Sequence, residues 1–330
     1  MSWRGVRVLV TGADGFIGSH LTEALVRSGA EVRAFCLYNS LGTLGWLDET
    51  DREVRSALDV RCGDIRDRRF VEASCENIEV VLHLAALIAI PYSYVAPESF
   101  LETNALGTLN VLEAVRRAGC RRLVHASTSE VYGTPSVLPI TEEHALKGQS
   151  PYSASKIAAD KMCEAYHCSF ETPVVVLRPF NTYGPRQSMR AVIPTIIGQL
   201  LQGVTRVRLG NTAPRRDLTF VSDTVAGFMA AGLASGIDGQ TIQLGTGRAV
   251  SVQELFDLAR AACGVEAQVA EDARRRRPDA SEVMVLQSDP SRARGTLGWS
   301  AQVGLEEGLR RTVEWMRANL KRYPADAYAI

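Results

Sequence analysis

The stretch VRVLVTGADGFIG, at Val6–Gly18, decides the fold of this chain. Its first half is apolar and β-branched, as in a strand buried inside a parallel sheet. Glycines follow at Gly12, Gly15 and Gly18, and a helical pattern starts at Ile17. Glycine permits a tight turn from strand to helix and leaves bare backbone, so that a pyrophosphate can approach the helix N-terminus. The stretch therefore predicts a strand, a phosphate-binding turn and a helix.

The strand-then-helix order recurs beyond this stretch. Apolar, β-branched runs predict further strands at Glu31–Leu37, Val80–Ala85, Arg122–Ser127, Pro173–Arg178 and Thr241–Leu244. Apolar residues at helical spacing predict helices at Ile17–Ser28, Phe100–Ala118, Ser153–Phe170 and Ile193–Gly203. This alternation predicts an α/β fold, a Rossmann-type doubly wound parallel sheet with helices on both faces.

The pattern changes after Pro179. Residues 181–190 are rich in Asn, Gly, Pro and Arg, which is typical of a loop, and from about Ser251 two helical patterns flank the basic run Arg274–Arg277. We expect residues 1–180 to form the dinucleotide-binding domain, with 217–247 returning to it. Residues 181–216 and 248–330 then form a smaller C-terminal substrate-binding cap over the carboxyl ends of the strands, where such sheets bind ligands.

Composition excludes several classes of protein. Lys and Arg together number 37, as do Asp and Glu, so no net charge attracts nucleic acid or an anionic membrane. The apolar run Val80–Ile90 is broken by His83 and is too short for a membrane span, and the N-terminus leaves no room for a signal peptide. The seven cysteines have no metal-ligand spacing. We expect a cytoplasmic protein without a metal site.

A phenol and an ammonium group lie one helical turn apart at Tyr152 and Lys156. A tyrosine normally titrates near pH 10, and a neighbouring cation favours its phenolate form. Thr128 directly follows a predicted strand, so its hydroxyl can bind the substrate oxygen that Tyr152 deprotonates. These three residues form a candidate catalytic group.

The Gly-x-x-Gly-x-x-Gly loop, Thr128 and the Tyr152-x-x-x-Lys156 pair resemble, over nearly the whole chain, the extended short-chain dehydrogenase/reductases of the NAD-dependent epimerase/dehydratase family. The resemblance implies a nicotinamide cofactor and a nucleotide-sugar substrate. It implies cofactor contacts at Gly12, Asp14, Gly15, Phe16, Ile17, Gly18, Asn39, Ser40, Asp64, Ile65, Leu84, Ala85, Ala86, Asn104, Tyr152, Lys156 and Pro179.

The choice between NAD and NADP depends on the end of the second strand. A carboxylate there usually holds the adenosine ribose, but Phe35–Ser40 contains none. Nor does it contain a basic cluster for a 2′-phosphate, and Asp14 in the glycine loop would repel that group. The residues favour NAD, with NADP as the alternative.

Glu130 narrows the range of reactions that the chain could catalyse. The run Ser127–Gly133 resembles the sugar 4,6-dehydratases, which carry a glutamate two positions after the threonine and use a base to remove the C5 proton. Ser129 replaces the aspartate that helps to protonate the departing hydroxyl in dTDP-glucose dehydratases, whereas GDP-mannose dehydratases share Thr-Ser-Glu. The resemblance thus implies catalytic roles for Thr128, Ser129, Glu130, Tyr152 and Lys156. In the alternative interpretation Glu130 only caps the following turn.

Further matches imply the substrate site. They place Ser93, Thr128, Asn181, Arg186, Arg216 and Arg277 against the nucleotide sugar. Arginine suits a diphosphate because its planar fork binds two phosphate oxygens at once. Ala86–Tyr94 and Tyr183–Ser188 most resemble NDP-N-acetylglucosamine 4,6-dehydratases, but these residues do not distinguish GDP from UDP.

The same residues rank three alternative functions. UDP-glucuronate decarboxylases carry an arginine where Ile157 follows Lys156, and isoleucine cannot hold a sugar carboxylate. An NDP-sugar 4-epimerase comes next. A non-catalytic binding protein would have lost Tyr152 or Lys156, and both are present. The resemblance also implies a homodimer, with the predicted helices Phe100–Ala118 and Ser153–Phe170 pairing into a four-helix bundle.

Overall fold

The computed structural model describes residues 2–323. Its strands are β1 Arg7–Thr11, β2 Glu31–Leu37, β3 Asp59–Gly63, β4 Val80–His83, β5 Arg122–Ala126, β6 Val174–Pro179, β7 Thr182–Tyr183, β8 Arg206–Leu209, β9 Arg215–Asp217, β10 Thr219–Phe220, β11 Thr241–Leu244, β12 Ala249–Ser251, β13 Gln268–Glu271 and β14 Val285–Leu286. Its α-helices are α1 Phe16–Arg27, α2 Arg52–Ser56, α3 Arg68–Cys75, α4 Ile90–Ser93, α5 Pro97–Phe100, α6 Gly107–Ala118, α7 Pro151–Phe170, α8 Val192–Leu201, α9 Val221–Leu233, α10 Val252–Cys263, α11 Ser291–Leu297 and α12 Leu305–Ala318.

Seven parallel strands form the central sheet in the order β11-β6-β5-β4-β1-β2-β3. The inner strands are apolar and almost fully buried, which is why they read as continuous hydrophobic runs rather than as alternating ones. Chain order reverses at the β1–β4 junction, so the carboxyl ends of these two strands border the crevice where doubly wound sheets bind ligands. The fold prediction is confirmed.

Smaller pairings build the cap beside this sheet. They join β10 to β7, β12 and β14 to β9, and β13 to β8. Helix α10 begins at a capping box, in which Ser251 and Glu254 satisfy each other's backbone amides. Helices α8, α10 and α12 pack on one another, and their apolar residues belong to the same continuous core as one face of the central sheet.

The main difference from the sequence prediction lies in the expected helix Phe100–Ala118. It is a composite in which a π-helical stretch, Leu101–Leu106, separates α5 from α6. The wider π turn directs Asn104 inward, where its amide binds both backbone groups of Leu87 and the hydroxyl of Ser155. The irregularity therefore connects the β4 loop to helix α7.

Helix α7 is well specified by its own sequence. Ser150 and Ser153 form a capping box at its start, and Pro151 occupies the first turn, where its missing amide costs nothing. The helix consequently begins one residue before Tyr152 and presents it with Lys156 on one face. Within residues 2–323, no helix combines the length and apolar character that a membrane crossing requires.

Candidate active site

The turn between β1 and α1 has the backbone that a pyrophosphate needs. Gly12 has φ +69°, and a Cβ on it would lie 2.9 Å from the amide nitrogen of Ala85. A Cβ on Gly18 would lie 2.0 Å from the carbonyl oxygen of Gly12. Helix α1 has Gly15 as its N-cap residue and no side-chain cap, so its first amides remain available to an anion. The amides of Phe16, Ile17 and Gly18 fit a dinucleotide pyrophosphate.

A buried chain of hydrogen bonds holds this turn against β4. The Thr108 hydroxyl donates to the Asn104 carbonyl, so its oxygen must accept from His83 Nε2 at 3.1 Å. His83 Nδ1 then accepts from the Thr11 hydroxyl at 2.7 Å, and Thr11 Oγ1 accepts from the amides of Leu84 and Ala85. The chain fixes one neutral tautomer of His83, in agreement with burial lowering its pKa.

Residues predicted to face the adenosine have differing surroundings. Asp14 accepts a hydrogen bond from the Leu37 amide at 3.3 Å, which brings a carboxylate to the end of β2, and burial raises its pKa. Asn39 accepts from the amides of Leu41 and Thr43 and so shapes the loop that contains Ser40. Asp64 pairs with Arg66 at 2.6 Å.

The backbone beside Asp64 and the loop after β4 complete this side of the site. Asn110 donates to the carbonyls of Ile65 and Arg66, and the side chain of Ile65 packs against Gly107. Leu84, Ala85 and Ala86 are half-buried at the end of β4, while Pro179 ends β6 and is also half-buried.

Tyr152 and Thr128 are brought together, as the sequence predicts. A hydrogen bond with Thr128 lowers the pKa of the Tyr152 phenol, but burial raises it by more, and the charge of Glu130 raises it further. The structure does not support the expected stabilisation of the phenolate by Lys156, because Lys156 is not among the groups that shift this pKa. Burial raises the pKa because it removes water from the charged form.

Lys156 is buried under the end of β5. Its ammonium donates to the carbonyl of Ala126 at 2.6 Å and lies 3.5 Å from Nε2 of His125. Burial lowers the pKa of Lys156 to about 8, whereas Asp160, one turn further along α7, raises it. The amine therefore stays largely protonated at neutral pH.

Glu130 lies in a short 3-10 turn, Ser129–Tyr132, between Tyr152 and the cap. Its charge affects the pKa of Tyr152 and also that of Arg216, where it is the largest influence opposing burial. Thr128, not Glu130, caps the turn, by accepting from the Glu130 amide at 3.2 Å. Among residues 2–323 the Glu130 carboxylate and the Ser129 hydroxyl make no hydrogen bond. Within the described residues, no hydrogen bond therefore supports the interpretation that Glu130 caps the turn.

Two of the predicted substrate arginines meet in the cap. Arg216 Nη2 and Arg277 Nη1 lie 3.3 and 3.6 Å from the same oxygen of Glu282. Within the described chain Arg277 Nη1 is a buried donor without a hydrogen bond, whereas the corresponding atom of Asn181 is Oδ1, an acceptor that cannot bind a phosphate oxygen. A buried donor without a hydrogen bond marks the place of a further polar partner. A diphosphate would suit this cluster.

The segment that carries Glu282 is attached to the catalytic side. Tyr94 donates to the Ser281 hydroxyl at 2.6 Å, since Ser281 itself donates to the carbonyl of Gln149. Gln149 Nε2 donates in turn to the carbonyl of Ala280 at 2.8 Å. The cap is therefore tied to the residues just before helix α7.

Two predicted substrate residues have other partners. Arg186 has φ +71°, and its guanidinium pairs with Glu23 at 2.6 Å and donates to Ser19 on helix α1. Ser93 is fully buried and donates to the carbonyl of Ile90 within α4. The structure therefore does not bring Arg186 to the arginine cluster.

Sequence reasoning missed the buried polar residues behind Lys156. Asp160 accepts from Ser127 and from two nitrogens of Arg178, and His125 lies beside it at 3.5 Å. A signal was present, because Asp160 follows Lys156 by four residues and so shares its helix face.

The chain matches known proteins over nearly all of its length. A family model described as GDP-mannose 4,6 dehydratase matches residues 9–312. A dTDP-glucose 4,6-dehydratase from an Actinoplanes species is 33% identical over 319 residues, 95% of this chain and 98% of that protein. A putative UDP-glucose 4-epimerase from Methanocaldococcus jannaschii is 31% identical, over 94% and 99%. UDP-glucuronic acid decarboxylase 1 from Xenopus tropicalis is 31% identical, over 98% and 75%.

Solved structures give the same picture. MoeE5 in complex with UDP-glucose and NAD superposes with a TM-score of 0.83 at 32% identity, covering 95% of this chain and 99% of that one. A double mutant of the dTDP-glucose 4,6-dehydratase DesIV from Streptomyces venezuelae, which also contains NAD, gives 0.84 at 30% identity, over 95% and 98%. The cofactor of these neighbours agrees with the prediction of NAD.

Fold, site and relatives define a class of Rossmann-fold enzymes that modify nucleotide sugars by dehydration, epimerisation or decarboxylation. Within that class, the chain belongs to the GDP-mannose 4,6-dehydratase family.

Proposed function

We propose that this protein is a nucleotide-sugar 4,6-dehydratase. The observation that carries the proposal is the position of Glu130. Its carboxylate lies near both the Tyr152 phenol and the Arg216 guanidinium and makes no hydrogen bond within residues 2–323. A free carboxylate there is placed to act as a base, and elimination across C5 and C6 needs one whereas simple epimerisation at C4 does not.

NAD is the proposed cofactor. The amides of the glycine loop would hold its pyrophosphate, while Asp14 and the loop around Asn39 border the adenosine side. Lys156 and Asn104 would border the nicotinamide side. When bound, NAD supplies the reversible oxidation at C4 of the sugar, which acidifies the C5 proton.

The side chains then divide the proton transfers. Tyr152 must first lose its own phenol proton, which the positive charge of bound NAD would favour, and its phenolate then takes the proton of the sugar 4-hydroxyl. Glu130 takes the C5 proton and the C6 hydroxyl leaves as water. A serine hydroxyl is a poor acid, so the protonated Glu130, rather than Ser129, is the group we propose to protonate the departing oxygen. The hydride removed from C4 would then be returned to C6 by the bound cofactor, with a proton from solvent at C5, to give a 4-keto-6-deoxy sugar.

Arg216, Arg277 and Asn181 are the proposed ligands of the substrate diphosphate. Arg216 and Arg277 meet at Glu282, and Arg277 Nη1 is a buried donor without a hydrogen bond within residues 2–323, whereas Asn181 is included on the sequence resemblance alone. The sequence resemblance favours an NDP-hexose such as GDP- or UDP-N-acetylglucosamine.

Substitution of the base tests the proposal directly. In Glu130→Gln an amide of similar size replaces the carboxylate and cannot accept the C5 proton. Loss of a positioned base lowers the rate by about a hundred- to ten-thousand-fold. We expect the variant still to oxidise C4, seen as transient absorbance of reduced nicotinamide, while it forms little 4-keto-6-deoxy product.

Two controls calibrate this result. Tyr152→Phe should remove both the absorbance and the product. Glu143→Gln changes a carboxylate whose side chain is 78% exposed and pairs with Arg292, so it should behave as wild type. Dehydration at the wild-type rate by Glu130→Gln would refute the assignment of Glu130 and favour an epimerase or a decarboxylase.

A further inference from the structure

Four ionisable side chains lie together beneath the catalytic helix. His125 on β5, Lys156 and Asp160 on α7, and Arg178 on β6 each have at most 5% of their surface exposed. They come from three neighbouring elements of the structure. Buried charges in a protein interior are costly unless they are paired, so each of these charged groups requires a partner.

Asp160 is the centre of the cluster. Its Oδ2 accepts hydrogen bonds from the Ser127 hydroxyl at 2.9 Å and from Nε and Nη2 of Arg178 at 3.1 and 2.9 Å. Arg178 is fixed on its far side, because Nη1 donates to the Tyr132 hydroxyl at 3.0 Å. The other carboxylate oxygen of Asp160, Oδ1, makes no hydrogen bond within the described chain and lies 3.5 Å from His125 Nε2.

His125 stands between the carboxylate and the lysine. Its Nε2 is 3.5 Å from Asp160 Oδ1 and also 3.5 Å from Lys156 Nζ. Burial lowers the pKa of His125 to about 4, so the ring is neutral at physiological pH. A neutral ring can donate from Nε2 to Asp160 or accept there from Lys156, depending on its tautomer. It links the two charges without adding one.

With Lys156 protonated, the charges of the cluster do not cancel, because there are two cations and one anion. Arg178 and Lys156 are cationic, and Asp160 is their shared buried carboxylate. The ionisable groups that interact with Lys156 are Asp160 and the Cys163 thiol on its own helix, His125 on β5 and His83 on β4. Of these, only Asp160 carries a charge that favours the ammonium form.

We propose that Asp160 is a positioning residue for the reaction, whose carboxylate, with His125, keeps Lys156 protonated and directed at the end of β5. This inference depends on the function proposed for Tyr152 and Lys156. Arg178 and Ser127 hold Asp160 in place, and its side chain is buried one helical turn beyond Lys156.

The pH dependence follows from the sign of the charge. The negative charge of Asp160 raises the pKa of Lys156, which burial lowers to about 8. Without that charge the amine loses its proton at lower pH, and activity that needs the ammonium is lost earlier as pH rises. An opposite charge at this range is worth about 1 to 3 pKa units. In Asp160→Asn the alkaline limb of log kcat against pH should therefore move down by about 1 to 3 units.

A second variant separates this effect from misfolding. Asp160→Asn leaves Arg178 as an uncompensated buried cation, whereas the double variant Asp160→Asn/Arg178→Gln removes both charges. It should remain soluble, with the alkaline limb still below that of wild type. Ser127→Ala removes a hydrogen bond to the same carboxylate but leaves the charge of Asp160. The alkaline limb of log kcat against pH should therefore stay at the wild-type pH in this variant.

The outcomes are distinct. If kcat of both Asp160 variants falls equally at every pH and the alkaline limb does not move, Asp160 has only a structural role and the inference is wrong. If Lys156→Met is as active as wild type, the proposed function itself fails. An inactive Lys156→Met together with an unmoved limb in the Asp160 variants would overturn this inference alone.

Discussion

The polar cluster beneath helix α7 and the arginine cluster of the cap differ in how completely they are paired. Under α7, Asp160 and Arg178 are joined by hydrogen bonds of 2.9 and 3.1 Å, and their side chains are 3% and 6% exposed. In the cap, Arg216 and Arg277 share Glu282 at 3.3 and 3.6 Å, and Arg277 is 28% exposed. In the first cluster the central ion pair is joined by short hydrogen bonds, although Asp160 Oδ1 and His125 Nδ1 have none within residues 2–323, whereas the arginines of the second are held more loosely.

This difference indicates a division of labour. The groups that carry out the chemistry are held by paired neighbours on the central sheet, so little reorganisation is needed when the reaction occurs. The cap keeps cationic donors that an incoming anion can complete. Catalysis and substrate binding should therefore respond separately to substitutions in the two regions.

The largest expected effect is on substrate binding. Arg216→Met removes the most buried cation of the cap cluster, and a hydrogen bond to a charged group contributes about 1.5 to 3 kcal/mol. We expect nucleotide-sugar affinity to fall by about ten- to a hundred-fold in calorimetric titration, with NAD affinity unchanged. Arg215→Met is the matched control, because Arg215 pairs with Glu254 on the other face of β9. Equal effects of the two substitutions would contradict the comparison.

A substitution in the glycine loop should weaken the binding of NAD rather than that of the nucleotide sugar. In Gly18→Ala the new methyl would lie 2.0 Å from the Gly12 carbonyl, so the turn must shift. Such overpacking costs about 1 to 3 kcal/mol of stability. Thermal unfolding should show that loss together with weaker NAD binding. Gly295→Ala in α11, where the methyl meets no atom within 4 Å, should change neither. Unimpaired NAD binding by Gly18→Ala would refute the pyrophosphate site.

The sequence predicted the sheet half of the molecule better than the cap. Thr11–Gly18 and Tyr152–Lys156 are contiguous motifs whose spacing fixes their geometry. Strand β3 was missed because it is an edge strand of mostly polar, exposed residues. The π-helical stretch Leu101–Leu106 has no periodicity that distinguishes it from an α-helix.

Local sequence patterns could not predict contacts between segments that are distant in the sequence. Arg186 follows the Tyr183–Pro185 segment closely, and only its positive φ turns it back toward Glu23. Glu282 pairs with an arginine 66 residues earlier, which no spacing reveals. The bond between Ser281 and Tyr94 spans 187 residues.

The smallest expected effect on the chemistry comes from the subunit contact. We propose a homodimer through α6 and α7, and Leu101 and Leu106 at the start of this face are 56% and 46% exposed. Light scattering at micromolar concentration should give twice the 35.9 kDa chain mass. Leu106→Glu should weaken the dimer with little change in kcat, whereas a monomeric wild-type protein would contradict the proposed interface.

The central claim is that the protein eliminates water from a nucleotide sugar. The most direct measurement incubates the purified protein and NAD with a panel of UDP-, GDP- and dTDP-hexoses, including the N-acetylglucosamine derivatives and UDP-glucuronate, and records product masses. Dehydration predicts a product lighter than its substrate by one water, about 18 Da by reaction stoichiometry, from at least one hexose, with no net accumulation of reduced cofactor. A product of unchanged mass, or one that has lost carbon dioxide from UDP-glucuronate, would contradict the dehydratase assignment.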